Sequence, residues 1–220
     1  MEKSAKRKFI TGALLLVLFV IFTLSLKIVD VKQIGPMGTS VGYAALNSFI
    51  SELFGKEHID FYNITDYLGI VAILTAFGFA VFGAYQLISR KSFKKVDTDI
   101  YVLAAFYIAV MAAYVFFEIF VVNYRPVLLS ESPEASYPSS HTMVTVCVMA
   151  AAIMQFKSRI KNKAIRNIAV CICAAIIVLT VLGRLISGVH WFTDILGGLI
   201  LSASLISLYS AAVEALGKKE

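Results

Sequence analysis

Long apolar runs broken by short polar segments dominate the chain. A membrane-crossing helix needs about 20 mainly apolar residues. Six stretches approach that length: 9–26, 67–88, 100–122, 141–156, 168–186 and 194–213. The fourth is short, so it starts inside the preceding loop or is shielded by its neighbours. None shows the two-residue alternation of a membrane β-barrel strand. The expected fold is therefore all-α: a polytopic membrane protein, a single domain over 1–220, with about six transmembrane helices.

The connection 27–66 is too long for a structureless loop. Within it, Leu46, Phe49, Ile50, Leu53 and Phe54 recur at helical spacing. Thr39 or Ser40 can cap the start of this helix and Gly55 its end. The pattern predicts a short amphipathic helix in the outer membrane interface. It reads equally as an ordinary packed helix or as a gate beside a lipid-accessible site.

Composition strengthens the membrane reading. Of 220 residues, 59% are hydrophobic and 15% charged, against about 45–50% and about 25% in soluble domains. This excludes a disordered chain and a disulfide scaffold, and argues against a soluble enzyme. A net charge of +6 in a soluble protein would point to nucleic acid. Here the charge falls in clusters between apolar runs, so the expected partner is the bilayer and no nucleic acid is called for. Lys3, Lys6, Arg7 and Lys8 precede the first run. Arg90, Lys91, Lys94 and Lys95 follow the second. Lys157, Arg159, Lys161, Lys163 and Arg166 follow the fourth, and Lys218 and Lys219 end the chain. The connections 27–66, 123–140 and 187–193 are sparser in basic residues. The positive-inside rule then places both termini in the cytoplasm and these three connections outside it. Small size and the lack of extra domains fit a bacterial cytoplasmic membrane. The basic start resembles a signal peptide, but its apolar run is long and no small-residue cleavage site follows, so an uncleaved anchor is expected. Cys147, Cys171 and Cys173 all lie in apolar runs and read as small core residues, without a disulfide or metal role.

The chemistry concentrates in the sparse connections. Asn123, Tyr124, Arg125 and Pro126 follow the third run. Tyr137, Pro138, Ser139, Ser140 and His141 open the fourth, Arg184 ends the fifth, and His190 and Asp194 open the sixth. All map to one side of the membrane and can converge. Arginines near lipid are costly, and turning them toward an anion offsets that cost. Their planar forks match phosphate oxygens and do not lose their charge. Ser139 and Ser140 add hydroxyls at a helix start, whose free N–H groups suit a phosphate. Asp194 lies four residues after His190, so a helical turn can bring its carboxylate to the ring and fix the tautomer. His190 can then attack phosphorus while His141 protonates the leaving alkoxide, and water ends a second displacement. Each piece also has a plain structural reading. Arg125-Pro126 can anchor a span end, the Pro-Ser-Ser-His run can start a helix, His190 and Asp194 can form a structural contact, and Arg184 can snorkel.

Taken together, Arg125-Pro126, Pro138-Ser139-Ser140-His141 and Arg184-x5-His190-x3-Asp194 resemble the three-part signature of the type 2 phosphatidic acid phosphatase family. Those motifs fall within 118–194. The resemblance implies His190 as phosphoryl acceptor oriented by Asp194, and His141 as general acid. Arg125, Arg184, Ser139 and Ser140 would hold the phosphate, with no metal and no cofactor. It implies a membrane enzyme hydrolysing lipid phosphates or diphosphates. Three positions depart from the pattern. Glu118 stands where the family has lysine, Ser140 where it has glycine, and Gly183 where it has serine. Glu118 would repel a phosphate if it faced one, so it turns away, pairs with Arg125 or Arg184, or meets a polar headgroup. Among the remaining polar residues, Glu131 and Glu134 read as solvated loop charges, and His58 as a surface residue. Trp191, Tyr124 and Tyr137 suit the interfacial aromatic belt. A lipid phosphotransferase using the same site, and a non-hydrolytic lipid transporter, stay open, and neither the lipid nor the oligomeric state is specified.

Overall fold

A computed structural model of the chain describes residues 3–55 and 58–217. Lys218 and Lys219, counted in the charge pattern, lie outside the described residues. The described residues form seven α-helices: α1 (Lys3–Ser25), α2 (Ala44–Phe54), α3 (Ile59–Arg90), α4 (Thr98–Ile119), α5 (Ser140–Arg159), α6 (Lys163–Ile186) and α7 (Phe192–Leu216). The expected all-α membrane architecture holds. Five helices, α1, α3, α4, α6 and α7, are long and apolar enough to cross a membrane.

The fourth expected span is α5, and it is not among those five. Its inward residues include Thr142, Thr145 and Gln155, all buried. It is shielded by the neighbours it packs against, chiefly α3, α6 and α7. A polar helix is tolerated at membrane depth when protein rather than lipid surrounds it. The other helices turn apolar side chains outward, as with Leu14, Ile73, Phe77 and Ile108, each more than 60% exposed. A lipid solvent accounts for that inversion.

Side-chain hydrogen bonds supplement van der Waals packing between the helices. Ser204 and Ser207 of α7 donate to the carbonyls of Gly12 and Lys8 of α1, both at 2.8 Å. At the basic end, Arg159 bridges Asp97 and Asp99 at 2.8 and 2.7 Å. Burial raises the Asp97 carboxyl, but hydrogen bonds from Arg159, Arg90 and Gln86 outweigh it and hold the group down at about 2.

The predicted short helix is α2, ending at Gly55 with φ +80° as expected. Its start is not capped by Thr39 or Ser40. Tyr43 occupies the cap position without a capping side-chain bond, and Asp30 supplies the acceptors, taking the Ala45 amide at 2.7 Å and the Ala44 amide at 2.9 Å. An ordinary packed helix would turn its apolar stripe inward. Here Phe49 and Leu53 are exposed, while Asn47 is buried and donates to Gly42 O and Thr193 Oγ1. The polar residue anchors the helix and the apolar stripe faces outward. Of the cysteines, Cys147 and Cys173 are buried as expected, but Cys171 faces outward from α6.

Candidate active site

The ends of α3, α4, α5, α6 and α7 opposite the basic clusters converge on one polar centre. The strand-like pairing of Tyr124 with Ala135 fixes the segment after α4. The Arg125 amide donates to Glu134 O and the Ser136 amide to Asn123 O, both at 3.0 Å. This pairing holds the Arg125 side chain, which is only 11% exposed, at the centre.

Asp194 is the internal tie. It is fully buried at the first turn of α7. Its Oδ1 accepts from Asn123 Nδ2 at 3.2 Å and its Oδ2 from the Trp191 amide at 3.0 Å. Its backbone carbonyl accepts the Ser139 amide at 3.0 Å. One residue thus joins the segments after α4, before α5 and before α7. Gly197 and Gly198 on α7 make the approach possible, because a Cβ on Gly198 would sit 3.1 Å from Ser139 O.

His190 lies in the turn before α7, not on a shared helical face with Asp194. Its Nδ1 is 3.7 Å from Asp194 Oδ2, an ion-pair separation longer than a hydrogen bond. Its Nε2 faces Arg125 Nη1 at 3.4 Å. Burial, then the Arg125 and Arg184 cations, hold its imidazole well below the usual histidine range, so it is neutral near pH 7. A neutral ring keeps a lone pair for attack.

Arg184, in the last turn of α6, is fully buried, so it does not snorkel. Its Nη2 pairs with Asp66 Oδ1, and its guanidinium lies 4.8 Å from the Tyr62 ring centre. Its Nε and Nη1 have no hydrogen-bond partner. Unmet buried donors on a permanent cation are costly, and a phosphate matches them. His141, the second residue of α5, places Nε2 3.1 Å from Asp66 Oδ1.

The serines divide. Ser139 is buried and caps α5, accepting from the Thr142 amide at 3.4 Å. Ser140 is half-buried and lines a cavity of about 460 Å³ with Asp66, Gly69, Ile70, Tyr114 and His141. Glu118 is exposed on α4 and pairs with neither Arg125 nor Arg184. Glu134, expected to be a solvated charge, instead pairs with Arg125 Nε at 3.3 Å. Tyr137 and Trp191, expected in an interfacial belt, are buried. Tyr137 reaches Thr23 at 2.8 Å and Trp191 donates to Tyr124 O at 2.8 Å. Among the described residues, no group of three His, Cys, Asp or Glu side chains is placed to hold a metal ion.

Asp66 is not among the residues expected in the site. The apolar run starting at 67 leaves it in the preceding connection, but α3 begins at Ile59, which carries Asp66 into the helix and against His141 and Arg184. A carboxylate beside a long apolar run was the available signal.

A family model described as the PAP2 superfamily matches residues 119–218, the stretch holding Arg125, His141, Arg184, His190 and Asp194. The match covers a little under half of the chain. Among solved structures, the chain is similar to the first transmembrane PAP2-type phosphatidylglycerolphosphate phosphatase from Bacillus subtilis. That likeness covers 95% of this chain and 98% of the other at 18% identity, with a TM-score of 0.66. It extends the PAP2 fold across the helices ahead of residue 119. No curated protein matches the sequence.

Proposed function

We propose that this PAP2 protein is a membrane phosphatase that hydrolyses a lipid phosphate or diphosphate through a phosphohistidine, without a metal ion. Its PAP2 region and PAP2-type fold support lipid phosphate hydrolysis in general. The observation that carries the finer reading is the meeting of a fully buried Arg184 that has unmet donors with a partly buried Arg125, beside a neutral buried His190.

Arg125, Arg184 and Ser140 hold the phosphate oxygens, and Ser139 fixes the turn. His190 Nε2 attacks phosphorus, the bond to the lipid oxygen breaks, and His141 gives that oxygen a proton. Asp194, held by Asn123 and the Trp191 amide, keeps the ring oriented and steadies its charge. Water then attacks the phosphohistidine and yields its proton to His141, and the P–N bond breaks to free inorganic phosphate. The Ser140–His141 cavity gives a lipid access from the side, with its tails left among the helices.

The site lies at the end opposite Lys6, Arg90, Lys95 and Arg166, so the positive-inside rule argues for an extracytoplasmic site and cytoplasmic termini. A bacterial cytoplasmic membrane fits this arrangement. The test is phosphate release by purified protein in detergent with excess EDTA. Phosphatidic acid, phosphatidylglycerol phosphate, a polyprenyl diphosphate and a phosphorylated glycolipid form the panel, with His190→Ala alongside. Release by the wild type that is lost in the variant is expected. Release that survives His190→Ala, or that requires added Mg²⁺, overturns the mechanism.

A further inference from the structure

We propose that Asp66 is a positioning residue for the proton donor. With Gly69 it forms a socket on α3 that holds the His141 imidazole where it can protonate the leaving lipid oxygen. This rests on the phosphatase reading above.

The socket has two walls. Asp66 Oδ1 is 3.1 Å from His141 Nε2 and is also the partner of Arg184 Nη2. Three residues on, Gly69 presents no side chain to the ring. A Cβ there would sit 3.2 Å from His141 Cδ2, tighter than ordinary contact. Residues three apart share a helix face, so α3 offers the imidazole a carboxylate and a flat seat side by side. The α3 backbone is itself pinned. Thr65 is fully buried and donates to Phe61 O at 2.9 Å, and a Cβ on Gly183 of α6 would lie 2.5 Å from its methyl.

The chemistry needs such a device. A general acid must carry its proton at the moment the P–O bond breaks, and Arg125 and Arg184 both stand close to the site. A carboxylate in contact with the ring offsets that positive field and fixes which way the ring faces. Asp66 itself gains and loses no proton in this account. The electron pair of the breaking bond goes to the lipid oxygen, which takes the proton of His141, and the attacking water later restores it. Asp66 lies outside the segment that matches the PAP2 model, so the first half of the chain contributes to the centre directly.

Leaving-group dependence is the test. A lipid alkoxide must be protonated as it departs, whereas p-nitrophenolate need not be. We expect Asp66→Asn to lower kcat on dioctanoyl phosphatidic acid about 100-fold, within the range of a lost general acid. The loss on p-nitrophenyl phosphate should be at least about tenfold smaller, and Asp66→Glu should restore part of the lipid rate. Gly69→Ala keeps the carboxylate but crowds the ring. It should show the same bias, and it supplies an independent reading if Asp66→Asn does not fold. Equal losses on both substrates would mean that Asp66 serves only Arg184 and would overturn the proposal, as would no loss. A wild-type protein that releases phosphate from neither substrate overturns the phosphatase reading itself.

Discussion

Arg184→Lys isolates the fork from the charge. The native guanidinium spends Nη2 on Asp66 and leaves Nε and Nη1 unmet in a fully buried position. If those two groups bind phosphate oxygens, the site gains two charge-assisted hydrogen bonds, each worth about 1.5–3 kcal/mol. Lysine keeps the positive charge and can replace one of them, but its single nitrogen cannot span two oxygens while also serving Asp66. The net loss is therefore one such bond, about 1.5–3 kcal/mol. At about 1.36 kcal/mol per tenfold, kcat/KM should fall roughly 10- to 150-fold. Inhibition by orthovanadate, which presents the same oxyanion, should weaken in parallel. The assay is phosphate release across a lipid concentration series in detergent, with folding checked by thermal unfolding. A folded Arg184→Lys protein within about threefold of wild type would refute the assignment of Nε and Nη1 to the substrate.

Two further predictions concern the nucleophile and the packing behind it. If His190 is the proposed nucleophile it must be neutral to attack, and burial with two nearby arginines lowers its titration well below the ordinary range. Activity should be lost as pH falls through that lowered value, so the acid limb of kcat/KM lies below the usual histidine pKa of about 6.5. An acid limb centred at or above that value contradicts the reading. Gly197→Ala would drive a Cβ to 2.7 Å from Tyr137 Cζ and 2.8 Å from its hydroxyl. Overpacking of this kind costs about 1–3 kcal/mol. The unfolding midpoint in detergent should drop, and an unchanged midpoint would show that Tyr137 moves freely.

The helices were legible because a bilayer demands long apolar runs and leaves little else to read. The signal was weakest at α5, since Ser140, His141, Thr142, Thr145 and Gln155 dilute its hydropathy while neighbouring helices shield it, as its shortness had suggested. It misjudged the start of α3, where Asp60, Asn63 and Asp66 read as loop although the helix begins at Ile59. At α2 the period was right, but the inward or outward sense of the stripe depended on a single contact, Asn47 with Thr193 of α7, which spacing does not disclose.

The site was legible for a different reason. Arg125, His141, Arg184 and His190 are types that are expensive near lipid, so each marks a place where the protein offsets the cost. What pairs them was not legible, because the partners lie on other helices. Asp66 is 75 residues from His141 and 118 from Arg184 in sequence, yet one of its oxygens meets both. Glu134 meets Arg125 through the turn that brings residues 124 and 135 together. The carboxylates follow a common logic. Asp66, Glu134 and Asp194 each stand against a cation or a ring that phosphate chemistry must charge. Together they let two arginines and two histidines share one pocket before any dianion enters. On the proposed reading, an arriving phosphate competes with Asp66 for Arg184, where Nη2 is engaged and Nε and Nη1 are not. It can take an N–H that Asp66 does not use, so Asp66 can stay with His141 while the substrate is held.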